Sequence, residues 1–134
     1  MTTFRNASLF DGFDQASGRS YFAESHPRIT DSDERARLLI FLEQSGYPLR
    51  RAAGLVEDEV DPAKGDVVPM VTITDGVWIW ERAQAYYLKT YGFGPEPEFY
   101  EYIKSQNYEV SEPDAQTITA ALEYLHEVDR AQRD

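Results

Sequence analysis

From Asp31 onward the apolar positions fall at helical spacing. Leu38, Leu39, Phe41 and Leu42, with Ile40 among them, follow a polar opening of Asp31, Asp33 and Glu34. Asp31 suits an N-cap, Glu34 stands three residues on as a capping-box partner, and Gly46 lies where a helix end often needs a left-handed residue; together they predict a helix over about 32 to 45. Being apolar around much of its girth, it is expected to be buried between other elements. The period then changes to two. Val67 to Thr74 alternates with β-branched residues, Asp75-Gly76 interrupts it, and Val77 to Trp80 resumes it, predicting a β-hairpin closed by a two-residue turn. Trp78 and Trp80 share one face of that strand and are expected to pack the sheet against a helix.

Helical spacing returns at Trp80, Ala83, Tyr87 and Tyr91, with Gly92 as the stop, for a helix over about 81 to 91. Gly94-Pro95 opens the next, over about 95 to 106: Pro95 suits the first helical position, Glu96 and Glu98 suit the positive end of the helix dipole, and Phe99, Tyr102 and Ile103 supply an apolar face. A last helix, over about 112 to 131, is expected to be capped by Ser111 with Asp114 three residues later. Its inward stripe is Ile118, Ala121, Leu122, Leu125 and Val128, and Asp129 with Arg133 forms an i,i+4 pair. Two stretches lack a steady period. Tyr47 to Pro69 reads as mostly loop, with a strand around Leu49 to Leu55. Residues 1–30 read as an aromatic arm, docked or partly disordered, with one short strand near Arg19 to Ala23. The fold class that results is α+β: a small antiparallel sheet containing the Asp75-Gly76 hairpin, packed against about four helices, as one domain over 31–134 that follows the arm.

Composition sharpens this picture in three ways. With 134 residues, 42% hydrophobic and 13% aromatic, the chain is too apolar for a disordered acidic polymer and of a size for one core. It holds no cysteine, which excludes disulfides, thiolate metal sites and cysteine nucleophiles. No run approaches the ~20 apolar residues of a membrane span, and Met1 to Phe13 lacks the pattern of a signal peptide, so the expectation is a cytoplasmic protein with no membrane partner. The formal net charge of -11 disfavours direct binding to nucleic acid, whose affinity comes from Lys and Arg contacts to phosphate. The same charge suits a basic protein partner, or serves only to keep the domain soluble.

Candidate chemistry is sparse. His26 and His126, the two histidines, have neither metal-ligand spacing nor a neighbouring ligand pattern, and packing or surface roles are expected for both. The acidic stretch Glu57, Asp58, Glu59 and Asp61 lacks the alternation and the glycine of a calcium loop, as does Asp11-Gly12-Phe13-Asp14. Gly92-Phe93-Gly94 is too short for a phosphate loop, and no G-x-S-x-G nucleophile motif occurs. No catalytic residue, metal or cofactor is therefore assigned. The expected contact residues for a protein partner are Glu57, Asp58, Glu59, Asp61 and Asp75, joined by Tyr86, which turns away from the Tyr87 stripe and so serves as an aromatic surface anchor.

The run Thr74-Asp75-Gly76-Val77-Trp78-Ile79-Trp80, then Tyr86-Tyr87, then Tyr91-Gly92 with Pro95 and Phe99, resembles a loose set of small uncharacterised actinobacterial proteins. The resemblance covers the chain from its first helix to its end. It implies a hairpin leading into helices and supplies no catalytic residues; some of those proteins resemble immunity proteins of polymorphic toxin systems in size and acidity. Three functions stay open on this reading. One is an immunity or antitoxin-like protein that occludes a basic toxin's active site; another is a small-ligand protein or enzyme with a pocket beside the aromatic hairpin; the third is a regulatory or structural interaction module.

Overall fold

A computed structural model describes residues 3–133 of the chain. Its first helix, α1 (Ser32–Leu39), begins where Asp31 accepts a hydrogen bond from the Asp33 N–H, and it widens into a π-helical turn over Ile40–Gln44. Glu34 does not close a capping box; it accepts instead from the Tyr108 hydroxyl at 2.8 Å. Leu38, Phe41 and Leu42 are fully buried but Ile40 is 49% exposed, so this helix covers the core with one side and is not enclosed all round. Gly46, at φ 86°, carries the chain off; a Cβ there would stand 2.6 Å from Ile73 Cγ2, so both conformation and space require glycine.

The region expected to be loop is a long hairpin. Strand β4 (Tyr47–Glu57) pairs antiparallel with β5 (Asp66–Thr74), and β5 pairs with β6 (Trp78–Glu81). The strand expected around Leu49 to Leu55 is the middle of β4, whose full length went unread because it is an edge strand with only Leu49 buried, so no alternation of apolar and polar residues marks it. Residues 52–54 bulge out opposite Met70, between the pairs Arg51–Val71 and Leu55–Pro69, and Gly54 takes φ 76° there. That bulge, with Pro48, Arg50 and Arg51, blunts the free edge against pairing with another chain.

The β5–β6 connection lies where the Asp75-Gly76 signal placed it, but it is wider than a two-residue turn. Thr74 pairs with Ile79, and the loop between is closed by side chains: Asp75 Oδ1 accepts from the Val77 and Trp78 N–H groups, both at 2.9 Å, while Thr74 Oγ1 accepts from Gly76 N and donates to Trp78 O. The sheet is also not wholly antiparallel. Strand β1 (Arg5–Asn6), from the N-terminal arm, lies parallel to β6 and gives the order β1-β6-β5-β4.

Helices cover both faces of this sheet. On one, Val71, Ile73, Trp78 and Trp80 meet Phe41 and Leu42, Leu88 of α2 (Ala83–Tyr91), and Phe99 and Ile103 of α3 (Pro97–Ser105). The two tryptophans share this face as their spacing requires; both lie against Phe99, and Trp80 Nε1 donates to Leu42 O at 3.0 Å. On the other face, Leu49 and Ile79 meet Phe4 together with Ala121 and Leu125 of α4 (Ala115–Arg133). Among the described helices none is long and apolar enough to cross a membrane.

Two helix starts and one core residue differ from expectation. α3 begins at Pro97, not Pro95, because the residue before a proline is held extended, and Glu96 sits at ψ 152°. α4 is capped not by Ser111 but by Asp114, whose carboxylate accepts from Thr117 N at 2.7 Å; Pro113 likewise keeps Glu112 out of a helix. Leu122 is 42% exposed, since α4 meets the sheet through Ala121, Leu125 and the half-buried Tyr124, a narrower stripe than the one read from spacing. The Asp129–Arg133 pair falls on a side chain outside those described; Asp129 accepts from Arg50 of β4 at 2.5 Å.

Residues 3–30 pack against this body. Strands β2 (Gly12–Asp14) and β3 (Arg19–Tyr21) form a separate two-stranded sheet. Phe10 and Phe22 sit beside Tyr87, and Phe22 stacks on Phe93 with ring centroids 4.1 Å apart. His26 is buried against this stack, at near right angles to both Phe22 and Phe93, with Nδ1 2.9 Å from Asp11 Oδ2 and Nε2 2.7 Å from Gly94 O. Nothing in the spacing of the chain announced that clamp, which joins the arm to the loop before α3.

Candidate functional site

The acidic loop after β4 is built around one of its own carboxylates. Asp58 is fully buried. Its Oδ1 accepts from the N–H groups of Val60 at 2.8 Å and Asp61 at 2.9 Å, which folds the chain back on itself as aspartate does in tight turns. Its Oδ2 accepts from the hydroxyls of Tyr86 at 2.5 Å and Tyr91 at 2.7 Å, both from α2. Between them the Tyr87 hydroxyl accepts from the Glu59 N–H at 3.0 Å. Three tyrosines of one helix thus hold one loop. Asp61 accepts from Ala63 N to start the short 3-10 turn Pro62–Lys64, and Lys64 Nζ lies 4.8 Å from the centre of the Tyr91 ring.

Burial pushes the Asp58 carboxyl up, but the hydrogen bonds from Tyr86, Asp61 N–H, Tyr91 and Val60 N–H outweigh it and hold the group below the ordinary carboxylate range. The tyrosines move the other way. Burial, opposed by the Glu59 N–H and reinforced by the charges of Asp58 and Glu59, pushes Tyr87 up to about 12. Burial and the bond to Asp58 raise Tyr86 and Tyr91 as well. A phenol whose value is raised by folding adds stability that is complete below the unfolded value of about 10 and is lost as pH climbs through the folded one. Denaturant unfolding followed from pH ~9 to ~12 is therefore expected to show falling stability, in step with tyrosinate absorbance that appears late in the native protein. Native tyrosines that all ionise near pH ~10 would contradict this.

The structure gathers five of the six expected contact residues, all but Asp75, and changes what two of those five can do. Glu57, Glu59 and Asp61 are half-buried around the loop. Asp58 and Tyr86 were expected on the surface; instead Asp58 has no exposure and Tyr86 is half-buried with its hydroxyl spent on Asp58. Asp75 is only 4% exposed and accepts from Tyr102 as well as from its own loop. It also lies at the opposite end of nine-residue β5 from the acidic loop, some ~30 Å away at the rise of a strand. The tip of its hairpin is covered: a Cβ on Gly76 would be 3.4 Å from Pro113 and 3.5 Å from Thr117.

What spacing did not reveal is the neighbour of the acidic loop. Glu57 pairs with Arg19 at 2.5 Å and Glu59 Oε2 accepts from Ser20 N at 2.9 Å, so the loop is tied to the β2–β3 hairpin. That hairpin carries Phe13 at 60% exposure and Tyr21 at 47%, and Val60 of the loop is 42% exposed. The hint in sequence was the short strand expected near Arg19 to Ala23, which is β3; its partner β2 had no signal of its own. The other ionisable pair of note, Asp11 with His26, borders a crevice that Ser8 and Ser25 also line, but both imidazole nitrogens already face acceptors, which leaves neither free to activate a hydroxyl.

The class so defined is an α+β domain with a mixed four-stranded sheet between helices and a braced acidic loop joined to an aromatic hairpin. No family model, curated protein or solved structure matches the chain.

Proposed function

We propose that this chain is a non-catalytic binding protein that docks a basic protein partner through its acidic loop, in the manner of an immunity or antitoxin-like protein occluding a basic toxin's active site. The observation that carries this reading is the bracing of the loop. Asp58 and the tyrosines of α2 hold Glu57, Glu59 and Asp61 in one arrangement before any partner arrives, so association loses little conformational freedom there. The net charge of -11 supplies the long-range attraction, and the exposed aromatics beside the loop supply apolar area.

The test starts with affinity capture by the full chain from its source cells and mass spectrometry of what is retained. Association rates of the captured partner are then measured against ionic strength. The on-rate is expected to fall steeply as salt rises, and neutralising Glu57→Gln, Glu59→Gln and Asp61→Asn together is expected to lower it severalfold at low salt with the fold intact. Asp58 is left alone because it is structural. A salt-independent on-rate, or a partner that is not basic, would remove the reading.

A further inference from the structure

The β2–β3 hairpin leaves its largest side chains in solvent, yet Tyr21 is not loose. Gly12 is its cross-strand partner, and a Cβ on Gly12 would lie 2.5 Å from the Tyr21 hydroxyl oxygen and 2.7 Å from Cζ. The tip of the ring therefore lies over the bare backbone of Gly12, while Tyr21 keeps 47% of its surface in solvent. Phe13, Asp14, Ser20, Tyr21 and Glu59 line one shallow depression of about 510 Å³ with Arg19, whose charge is already paired with Glu57. A seated aromatic ring next to carboxylates is the setting in which a planar cation is bound twice over, by its face and by its N–H edge.

We propose that this depression takes an arginine side chain of the partner, its guanidinium stacked on Tyr21 and its N–H groups donating to Glu59. The proposal deepens the reading above and rests on it, because the acidity of the chain is what directs a basic protein here. Arginine is favoured over lysine since an ammonium has no plane to stack and no fork to match a carboxylate. Gly12 then has a role beyond strand pairing: any side chain at that position displaces the ring.

The experiment uses the full chain, isotopically labelled, titrated at low salt with oligo-arginine and oligo-lysine peptides of equal length and followed by amide chemical shifts. The expected result is a set of shifts centred on residues 12–21 and 57–61, tighter binding of the arginine peptide, and a three- to tenfold loss of affinity in Tyr21→Ala with Tyr21→Phe close to wild type. Glu59→Gln, which keeps an acceptor for Ser20 N, is expected to lose a similar factor. Shifts spread over other surfaces, equal affinity for both peptides, or wild-type affinity in Tyr21→Ala would overturn the site while leaving a basic partner in place. If neither peptide binds at low salt, the acidic-surface reading itself fails.

Discussion

Replacing Asp58 by alanine is expected to cost about 3–5 kcal/mol of stability. The change strands two tyrosine hydroxyls and two backbone N–H groups that all donate to one buried carboxylate. Each buried donor left without an acceptor costs about 1–3 kcal/mol, part of which is recovered as water or a neighbour moves in. Asp58→Asn should cost less, since its carbonyl oxygen still serves the two N–H groups and the hydroxyls can turn their lone pairs to its NH₂. The pH dependence separates this account from a loss of packing. Because folding lowers the Asp58 value, its contribution is complete above the unfolded value of about 3.9 and is lost as pH falls through the folded one. The gap in unfolding free energy between wild type and Asp58→Ala should therefore be narrower at pH ~2.5 than at pH ~7. An equal gap at both values would count against the carboxylate as the source. A loss under about 1 kcal/mol at neutral pH would show that the loop does not depend on it.

Phe99→Ala is expected to cost about 3–5 kcal/mol, measured by denaturant unfolding. Phe99 has no exposure and is the one ring that meets Phe41, Trp78 and Trp80 together, with centroids 6.1, 4.9 and 5.5 Å away. Its removal opens a cavity between α3, the π-helical turn and the sheet that rigid tryptophans cannot fill. Leu122→Ala is the matching control. At 42% exposure on a helix, where alanine is the better helix former, it should change stability by less than about 0.5 kcal/mol. Comparable losses at the two positions would show that Leu122 is as deeply packed as Phe99, against its exposed position.

The difference between those two residues marks how far the chain could be read unaided. Leu122 and Leu125 are indistinguishable by period, yet α4 presents only a narrow stripe because it packs on the far side of the sheet through the small Ala121. Which of two neighbouring apolar residues faces inward depends on the crossing of helix and sheet, a property of the pair and not of either sequence. Local rules succeeded where the physics is local. Asp31 caps α1, Gly46 and Gly92 take left-handed conformations at φ 86° and 84°, Trp78 and Trp80 share a face, and the four helices fall within a few residues of their expected bounds.

They caught only the middle of β4, where an exposed edge carries no alternation, and missed β1 and β2, strands of two and three residues whose order comes from the neighbours they pair with. The acidic loop shows the same division most clearly. Spacing along the chain located Glu57, Asp58, Glu59 and Asp61 and, separately, Tyr86 and Tyr91. A carboxylate reads as solvated until something is known to surround it, because ionised groups are buried only when their hydrogen bonds are met. Here two of those bonds come from the loop itself and the other two from a helix that begins some twenty-five residues downstream of Asp58. Sequence alone determined the helices, the hairpin and the excess of negative charge; only the tertiary structure decided that Asp58 and Asp75 are held inside while the β2–β3 hairpin, with Phe13 and Tyr21, stands beside the loop, because donors and acceptors far apart in the chain meet only once the sheet and helices have packed.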